Sequence, residues 1–362
     1  MIIVFILFLC LLLYGAAEYR CHRNNIDKIP LRILVNGTRG KTTVTRIIAY
    51  CLQGNGIKTM ARTSGSSLEI IHCDGSVEKL QRKRNPRILE MIPFFRLARE
   101  ENAEAVVIEC MALQEENQKT IADTLVRPGI VVMTNTFIDH VPEMGNTLSE
   151  TAWVLSRSVP KGGILYTTED YYDNFGFEIR KVDTDTIPPE SSIPIHASSW
   201  AIARKVLMDL GVKEDIIASQ LMKIPPDIGL MKEMKGKKGS ILIPSFSVND
   251  KECMESTIRE NKEKYPDKNI AVIFNNRKDR EHRIILLKEV LESLDFSLKV
   301  FIIGDYPNKV SKYLRRHKIE AYPSSPEEIG EEIKNNIDNL YIGIGNIKGD
   351  GEKLISILRE DY

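Results

Sequence analysis

Apolar positions fall into three regimes along this chain. Residues Met1 to Ala17 carry no charged side chain. As a helix rising about 1.5 Å per residue, that run spans about 25 Å, slightly short of the ~30 Å hydrocarbon core of a bilayer. Further on, short apolar runs alternate with stretches of helical period. Strands are predicted at Arg32–Val35, Ala105–Glu109, Ile130–Asn135 and Ile164–Thr167, and helices at Thr42–Gln53, Arg87–Glu101, Asn117–Leu125 and Leu148–Ser158. Val106-Val107-Ile108 and Ile130-Val131-Val132 are continuously apolar, as strands are when helices cover both faces of a sheet. The segment Met60–Arg84 breaks the rhythm with Thr63-Ser64-Gly65, a polar turn at Asp74-Gly75 and the basic run Arg82-Lys83-Arg84.

A second unit follows the hinge Ile224-Pro225-Pro226-Asp227. Its predicted strands are Ser240–Ile243, Ile270–Phe274, Lys299–Ile303 and Tyr341–Ile344. Helices are predicted at Lys251–Glu263, Ile284–Ser293, Asn308–His317 and Glu327–Ile337. The pattern is α/β throughout, a doubly wound domain and then a smaller Rossmann-like one. It divides the chain into an apolar segment 1–17, a linker 18–30, a central domain 31–225 and a C-terminal domain 226–362. Gly343 and Gly345 lack a third glycine and a following βαβ unit, so they make no dinucleotide fingerprint.

Charge decides how the apolar segment is read. Gly15-Ala16-Ala17 resembles a signal-peptidase site, but no Lys or Arg precedes the run. Arg20, Arg23, Lys28 and Arg32 follow it instead. The positive-inside rule then gives an uncleaved single-pass anchor with the body in the cytoplasm, and Tyr14 and Tyr19 suit the interfaces. The chain carries 50 basic and 50 acidic residues. That balance gives no reason to make nucleic acid the main partner. Six scattered cysteines without a CxxC pair read as reduced thiols and offer no zinc site.

The chemistry concentrates in Asn36-Gly37-Thr38-Arg39-Gly40-Lys41-Thr42-Thr43, set between a strand and a helix. Glycines let backbone N–H groups approach an anion, and the helix N-terminus adds partial positive charge. Lys41, exposed in this loop, is placed to reach the β/γ-phosphates of a nucleotide, and the Thr42 hydroxyl to coordinate Mg²⁺. The full phosphate-loop motif has a glycine where Val35 stands, so the pattern is the shorter G-T-x-G-K-T-T. In an open parallel sheet, ligands bind beyond the carboxyl ends of the strands. One such end carries Glu109, preceded by three aliphatic residues. A charge emerging there needs a partner or a cation. Another carries Asn135 to Asp139-His140, a credible Mg²⁺ or supporting group. Arg277, Arg280 and Arg283 follow a strand of the second unit, with Asp279 placed to orient them towards carboxylate or phosphate.

These motifs together resemble the ATP-binding core of the Mur ligase superfamily, which uses the shortened loop. Within it, Asn36–Arg46, Glu109-Cys110-Met111-Ala112, Pro225-Pro226-Asp227, Asn276–Arg280 and Gly343–Ile347 resemble the ligase subunit of poly-γ-glutamate synthase, the PgsB/CapB family. The apolar N-terminus also fits that family. The resemblance implies an ATP-dependent acid–amino-acid ligase. A glutamate γ-carboxylate becomes an acyl phosphate, and the amine of another glutamate displaces the phosphate, extending a poly-γ-glutamate chain.

The resemblance also implies roles and partners. Gly37, Thr38, Arg39, Gly40, Lys41, Thr42, Thr43 and Asn135 would bind ATP. Lys41, Glu109 and His140 would serve catalysis. Thr42 would hold one Mg²⁺, and Glu109 and His140 a second. Asp250 looks like an aspartate near the ribose, and Lys232 falls where these ligases commonly carry an arginine. CapC- and CapA-like membrane subunits would complete the synthase. A competing reading is a membrane-tethered P-loop ATPase or kinase with a regulatory or transport role. It should end the strand after the loop in an aspartate, where this chain has Glu109. A scaffold that only binds nucleotide is a third reading, opposed by the intact Lys41, Thr42, Glu109 and His140.

Overall fold

A computed structural model describes residues 1–65, 68–80, 86–193, 195–225, 233–236, 238–248 and 251–359. The chain divides into two compact units, Met1–Ile224 and Pro225–Tyr362.

The first unit opens with α1 (Ile2–Asp27), β1 (Leu31–Asn36), α2 (Lys41–Gly54), β2 (Thr59–Arg62), β3 (Glu69–Ile71) and β4 (Val77–Lys79). Next come α3 (Met91–Glu100), β5 (Ala105–Glu109), α4 (Glu115–Thr120), β6 (Ile130–Met133), α5 (Val141–Met144) and α6 (Leu148–Ser156). It ends with β7 (Ile164–Thr167), β8 (Glu178–Lys181), α7 (Ala197–Asp209) and α8 (Glu214–Leu221). The sheet order is β4-β3-β2-β5-β1-β6-β7-β8, parallel from β2 to β8, with β3 and β4 as an antiparallel extension. β1 lies between β5 and β6, with Val35 opposite Glu109 on one side and Val132 on the other. All three strands therefore end at one edge. Two apolar layers cover the sheet, one around Leu34, Val106, Phe95 and Met133, the other around Ile33, Ile47, Val107 and Val206. This explains why these strands are apolar at every position.

The second unit contains β9 (Met234–Lys235), β10 (Ile241–Ile243), α9 (Lys251–Lys264), β11 (Asn269–Asn276), α10 (His282–Ser293) and β12 (Lys299–Gly304). It continues with α11 (Pro307–Arg316), β13 (Ala321–Pro323), α12 (Pro326–Asn335), β14 (Asn339–Ile344) and α13 (Asp350–Arg359). Its order is β13-β12-β11-β14-β10-β9, parallel except for β9. Apolar layers again cover both faces.

Two expectations change. The Met60–Arg84 interruption holds β2 and the β3–β4 hairpin; Thr59–Arg62 is buried at all four positions although its composition is mixed. Residues 18–30 are not an open linker, because α1 runs unbroken to Asp27. Its last turns are held by the domain: His22, Asn25 and Ile26 are buried, and so is Ile29 just beyond. The His22 ring donates to the Leu125 carbonyl at 3.1 Å and packs edge-on against Phe95 at 5.6 Å. Arg99 of α3 donates to Asn25 at 2.9 Å, and Arg127 pairs with Asp27 at 3.1 Å. The first 14 residues are exposed, and α1 is long and apolar enough to cross a membrane.

Candidate active site

The β1–α2 loop owes its shape to two glycines. Gly37 has φ +121° and Gly40, which caps α2, has φ +74°, where L side chains are strained. There is no room for a side chain either. A Cβ on Gly37 would fall 2.3 Å from the Thr134 hydroxyl, and one on Gly40 2.7 Å from that of Ser199.

The end of β6 clamps this loop. Asn135 Oδ1 accepts from the Thr38 hydroxyl at 2.7 Å and the Arg39 N–H at 2.8 Å. Asn135 Nδ2 and the Thr134 hydroxyl both donate to the Arg39 carbonyl, at 3.2 and 2.5 Å. The Asn135 side chain thus builds the loop. Asn36, buried at the strand end, donates to Gln118 at 2.7 Å and Ser158 at 2.9 Å.

Lys41 departs from its expected exposed setting. It is the first residue of α2 and only half-exposed. Its ammonium donates to the Gly37 carbonyl at 2.6 Å and the Thr38 carbonyl at 3.3 Å. Burial lowers its pKa, against the attraction of Glu109. The cation is thus folded back over the loop's own carbonyls, where an anion held by the loop would meet it.

Glu109 is 2% exposed at the end of β5. One oxygen accepts from the Thr42 hydroxyl at 2.9 Å and from the Ser64 N–H at 2.8 Å. Gly65 lies against the pair: a Cβ there would sit 2.5 Å from Thr42 Oγ1 and 3.2 Å from Glu109 Oε1. A hydroxyl and a carboxylate in contact, beside a space only glycine leaves open, form the hard oxygen donor set that a small divalent cation takes. His140 lies beyond the end of β6. Its φ is +51° where it caps α5, and its N–H donates to Asp139 at 2.9 Å. Asp139 in turn faces Arg39 at 3.3 Å and the His140 ring at 4.0 Å. Among the described residues no group of three or more His, Cys, Asp or Glu is poised around a metal position.

The second unit presents its arginines differently. Arg277 forks onto Asp279 at 2.8 and 2.5 Å, and Arg283 donates to the Gly345 carbonyl at 2.8 Å. Arg280 closes the short turn that follows β11. Lys232, Asp250 and the Arg82-Lys83-Arg84 run lie outside the described residues. Sequence reasoning gave no part to Ser64, Gly65, Thr134 or Ser199. Gly65 stood out as an interruption, whereas Ser199 meets the loop only through folding.

Over 377 aligned positions the chain is 30% identical to PGA synthase CapB of Bacillus subtilis (strain 168), covering 97% of this chain and 95% of that protein. This chain belongs to the CapB family. Capsule biosynthesis protein CapB of Bacillus anthracis is 29% identical, covering 99% of this chain and 83% of the relative. Residues 35–177 match the Mur ligase middle domain, and residues 231–361 the poly-gamma-glutamate synthase CapB C-terminal domain. In fold, the chain is similar to a bifunctional folylpolyglutamate synthase/dihydrofolate synthase solved with Mn, AMPPNP and L-glutamate. That match has a TM-score of 0.68 at 12% identity, covering 93% of this chain and 91% of the other.

Proposed function

We propose that the Gly37–Thr43 loop is where this CapB-family chain activates glutamate. The chain is an ATP-dependent amide ligase that makes poly-γ-glutamate, and it works with ATP and a divalent metal. The contact that carries the site assignment is Thr42 on Glu109 at 2.9 Å, directly beneath the phosphate loop.

In the reading we favour, a γ-carboxylate oxygen attacks the terminal phosphorus of ATP, and the bond to ADP breaks. The amine of a second glutamate then attacks the acyl carbon, loses a proton and expels phosphate. Loop N–H groups hold the phosphates, and Lys41 turns from the Gly37 carbonyl onto the transferring group. Thr42 and Glu109 would hold Mg²⁺, which supplies charge neutralisation on the phosphoryl oxygens. His140, with Asp139 and Arg39, borders the same strand ends and would help hold a second ion. Lys232 and Asp250 are proposed nucleotide contacts. Arg277, Arg280 and Arg283 are proposed contacts for substrate carboxylates.

The apolar half of α1 would anchor the chain, with Arg20, Arg23, Lys28 and Arg32 keeping the body in the cytoplasm. CapC- and CapA-like membrane subunits are the proposed partners. The test is ADP release with single amino acids, using the full chain in membranes with and without those subunits. Release that depends on glutamate and yields γ-linked product is expected. Glutamate-independent ATP turnover would favour the tethered ATPase instead.

A further inference from the structure

Helix α11 carries a charge pattern that neither its fold nor the ligase site uses. Its sequence from Pro307 to Arg316 holds Lys309, Lys312, Arg315 and Arg316 and no acidic residue, and Lys318 follows. This is unusual in a chain whose basic and acidic totals are equal. All five cations are exposed, while Val310 and Leu314 bury the opposite face. None of the five forms an ion pair among the described residues. Other helices of this unit do neutralise their cations: Arg259 on α9 pairs with Glu255 and Asp295, and Lys334 on α12 with Glu331.

Helix electrostatics accounts for part of this only. Cations in a last turn complement the negative end of the helix dipole, which covers Arg315 and Arg316. Lys309 lies in the first turn, where the dipole disfavours it. Lys309 with Lys312, and Lys312 with Arg315 and Arg316, are like charges three or four residues apart, which weakens an isolated helix. The Lys309 ammonium lies 4.9 Å from the centre of the Tyr306 ring, and Tyr306 is itself exposed.

Position links this face to the acceptor candidates. α11 starts directly beyond β12, whose Gly304 lies opposite Asn276 at the end of β11. There the Lys278 N–H donates to Asp305 at 2.9 Å, next to the Arg277–Asp279 fork. From that edge α11 leads away along the unit. Lys309, Lys312 and Arg316 are spaced about 4.5 and 6 Å along the axis. A γ-linked glutamate unit adds five backbone bonds where a peptide adds three, so its carboxylates recur about every 6 Å when extended, scaling from ~3.6 Å per peptide residue.

We propose that the exposed face of α11, Lys309, Lys312, Arg315 and Arg316, together with Lys318 just beyond it, binds the polycarboxylate product as it grows away from the acceptor site. The proposal rests on the ligase reading for the identity of its ligand. Holding the chain there keeps it near the site between additions, which favours long products.

The test separates binding from synthesis. Fluorescently labelled poly-γ-glutamate of defined length is titrated onto the full chain in lipid nanodiscs, without ATP, over a range of salt. The parent should bind with a steep salt dependence. The variant K309Q/K312Q/R316Q/K318Q should lose at least tenfold in affinity and show a shallower slope. The K309R/K312R/K318R variant should retain binding, and circular dichroism melts check that each variant is folded. In membranes with the partner subunits, the glutamine variant should give shorter polymer. Unchanged polymer affinity and product length in the glutamine variant overturn the proposal. So does equal affinity for a DNA duplex or phosphatidylglycerol vesicles, which would make the patch a general anion surface. A parent that binds polymer through α11 yet forms no glutamyl amide would sink the ligase reading and leave the binding face standing.

Discussion

Thr42 and Glu109 share a hydrogen bond of 2.9 Å across the join between α2 and β5. The contact spans neighbouring strands, since β1 feeds the loop before α2 and pairs with β5 through Val35 and Glu109. The buried carboxylate accepts from the Ser64 N–H and from this hydroxyl, next to the loop. Glu109→Gln keeps the size and removes the charge. We expect turnover to fall about 10²-fold or more, with the metal-activation curve moved to higher concentration. A metal titration of ADP release checks this. An unaltered curve would make Glu109 a structural clamp for Ser64.

Lys41→Ala removes a cation held near the loop by two carbonyls. Its folded-state cost should be small, because those carbonyls lose one donor and no apolar packing. Transition-state charge loses its nearest ammonium, and a loss of about 10² to 10³ in rate is expected. Comparing thermal melts with ADP release separates the two effects. Wild-type synthesis by a folded Lys41→Ala protein would remove Lys41 from the mechanism.

The loop was legible because its signal is local: a strand, two glycines, Lys41-Thr42 and a helix lie consecutively. Glu109 was legible from its three aliphatic neighbours. What completes the site is not local. Ser64 and Gly65 reach Glu109 because β2 pairs beside β5, and β2 is hard to see when Thr59 and Arg62 are polar yet buried. Asn135 carries a polar residue's usual ambiguity. Only the fold shows that its amide is spent on Thr38 and Arg39. Helices α7 and α8 were not among the predicted elements; α7 starts from a polar cap, His196, whose ring accepts from the Ser198 N–H. The end of α1 escaped for a different reason. Charged residues between Glu18 and Lys28 read as solvated, while the turn bearing His22, Asn25 and Ile26 has a buried side.

His72 gives the β3–β4 hairpin a pH-dependent tie to α3. Its ring meets Glu101 at 2.5 Å and Glu78 at 3.4 Å. Burial opposes the charges of His72 and Glu101, but pairing with Glu101 and Glu78 outweighs it for His72, raising its pKa above 6.5, and the Cys73 N–H together with the His72 ring outweighs it for Glu101, lowering its pKa below 4.5. The His72 contribution is therefore complete below pH 6.5 and fades as pH rises through its raised folded value. The Glu101 contribution is complete above pH 4.5 and fades as pH falls through its lowered one. Stability from this pair should be greatest between those limits. Glu101→Gln should lower the His72 pKa in an NMR titration and flatten the loss of stability between pH 6 and 8 (roughly the range in which a raised histidine titrates). An unshifted His72 titration in Glu101→Gln would show that the ring draws its proton affinity elsewhere.

The folded body begins ahead of β1, in the last turns of α1. A boundary at Leu31 looks natural from sequence, because β1 starts there. The structure puts Ile26 and Ile29 in the same apolar layer as Leu34, Phe95 and Val106, each with no exposed surface. Full burial of one isoleucine contributes about 1.5–3 kcal/mol, so losing both should cost about 3 kcal/mol or more. The Asn25–Arg99 hydrogen bond and the His22–Phe95 contact would go with them. We therefore expect a chain of residues 18–362 to unfold in urea at the midpoint of the full chain in detergent. A chain of residues 31–362 should unfold at a clearly lower midpoint, with ATP binding weakened in proportion to its unfolded fraction. Equal midpoints for the two truncated chains would mean that α1 rests on the domain without stabilising it. If the expected gap appears, the anchor and the catalytic unit are one folded body. A loss of polymer synthesis in the 31–362 chain could then not be credited to its missing membrane partners until the 18–362 chain had been assayed beside it.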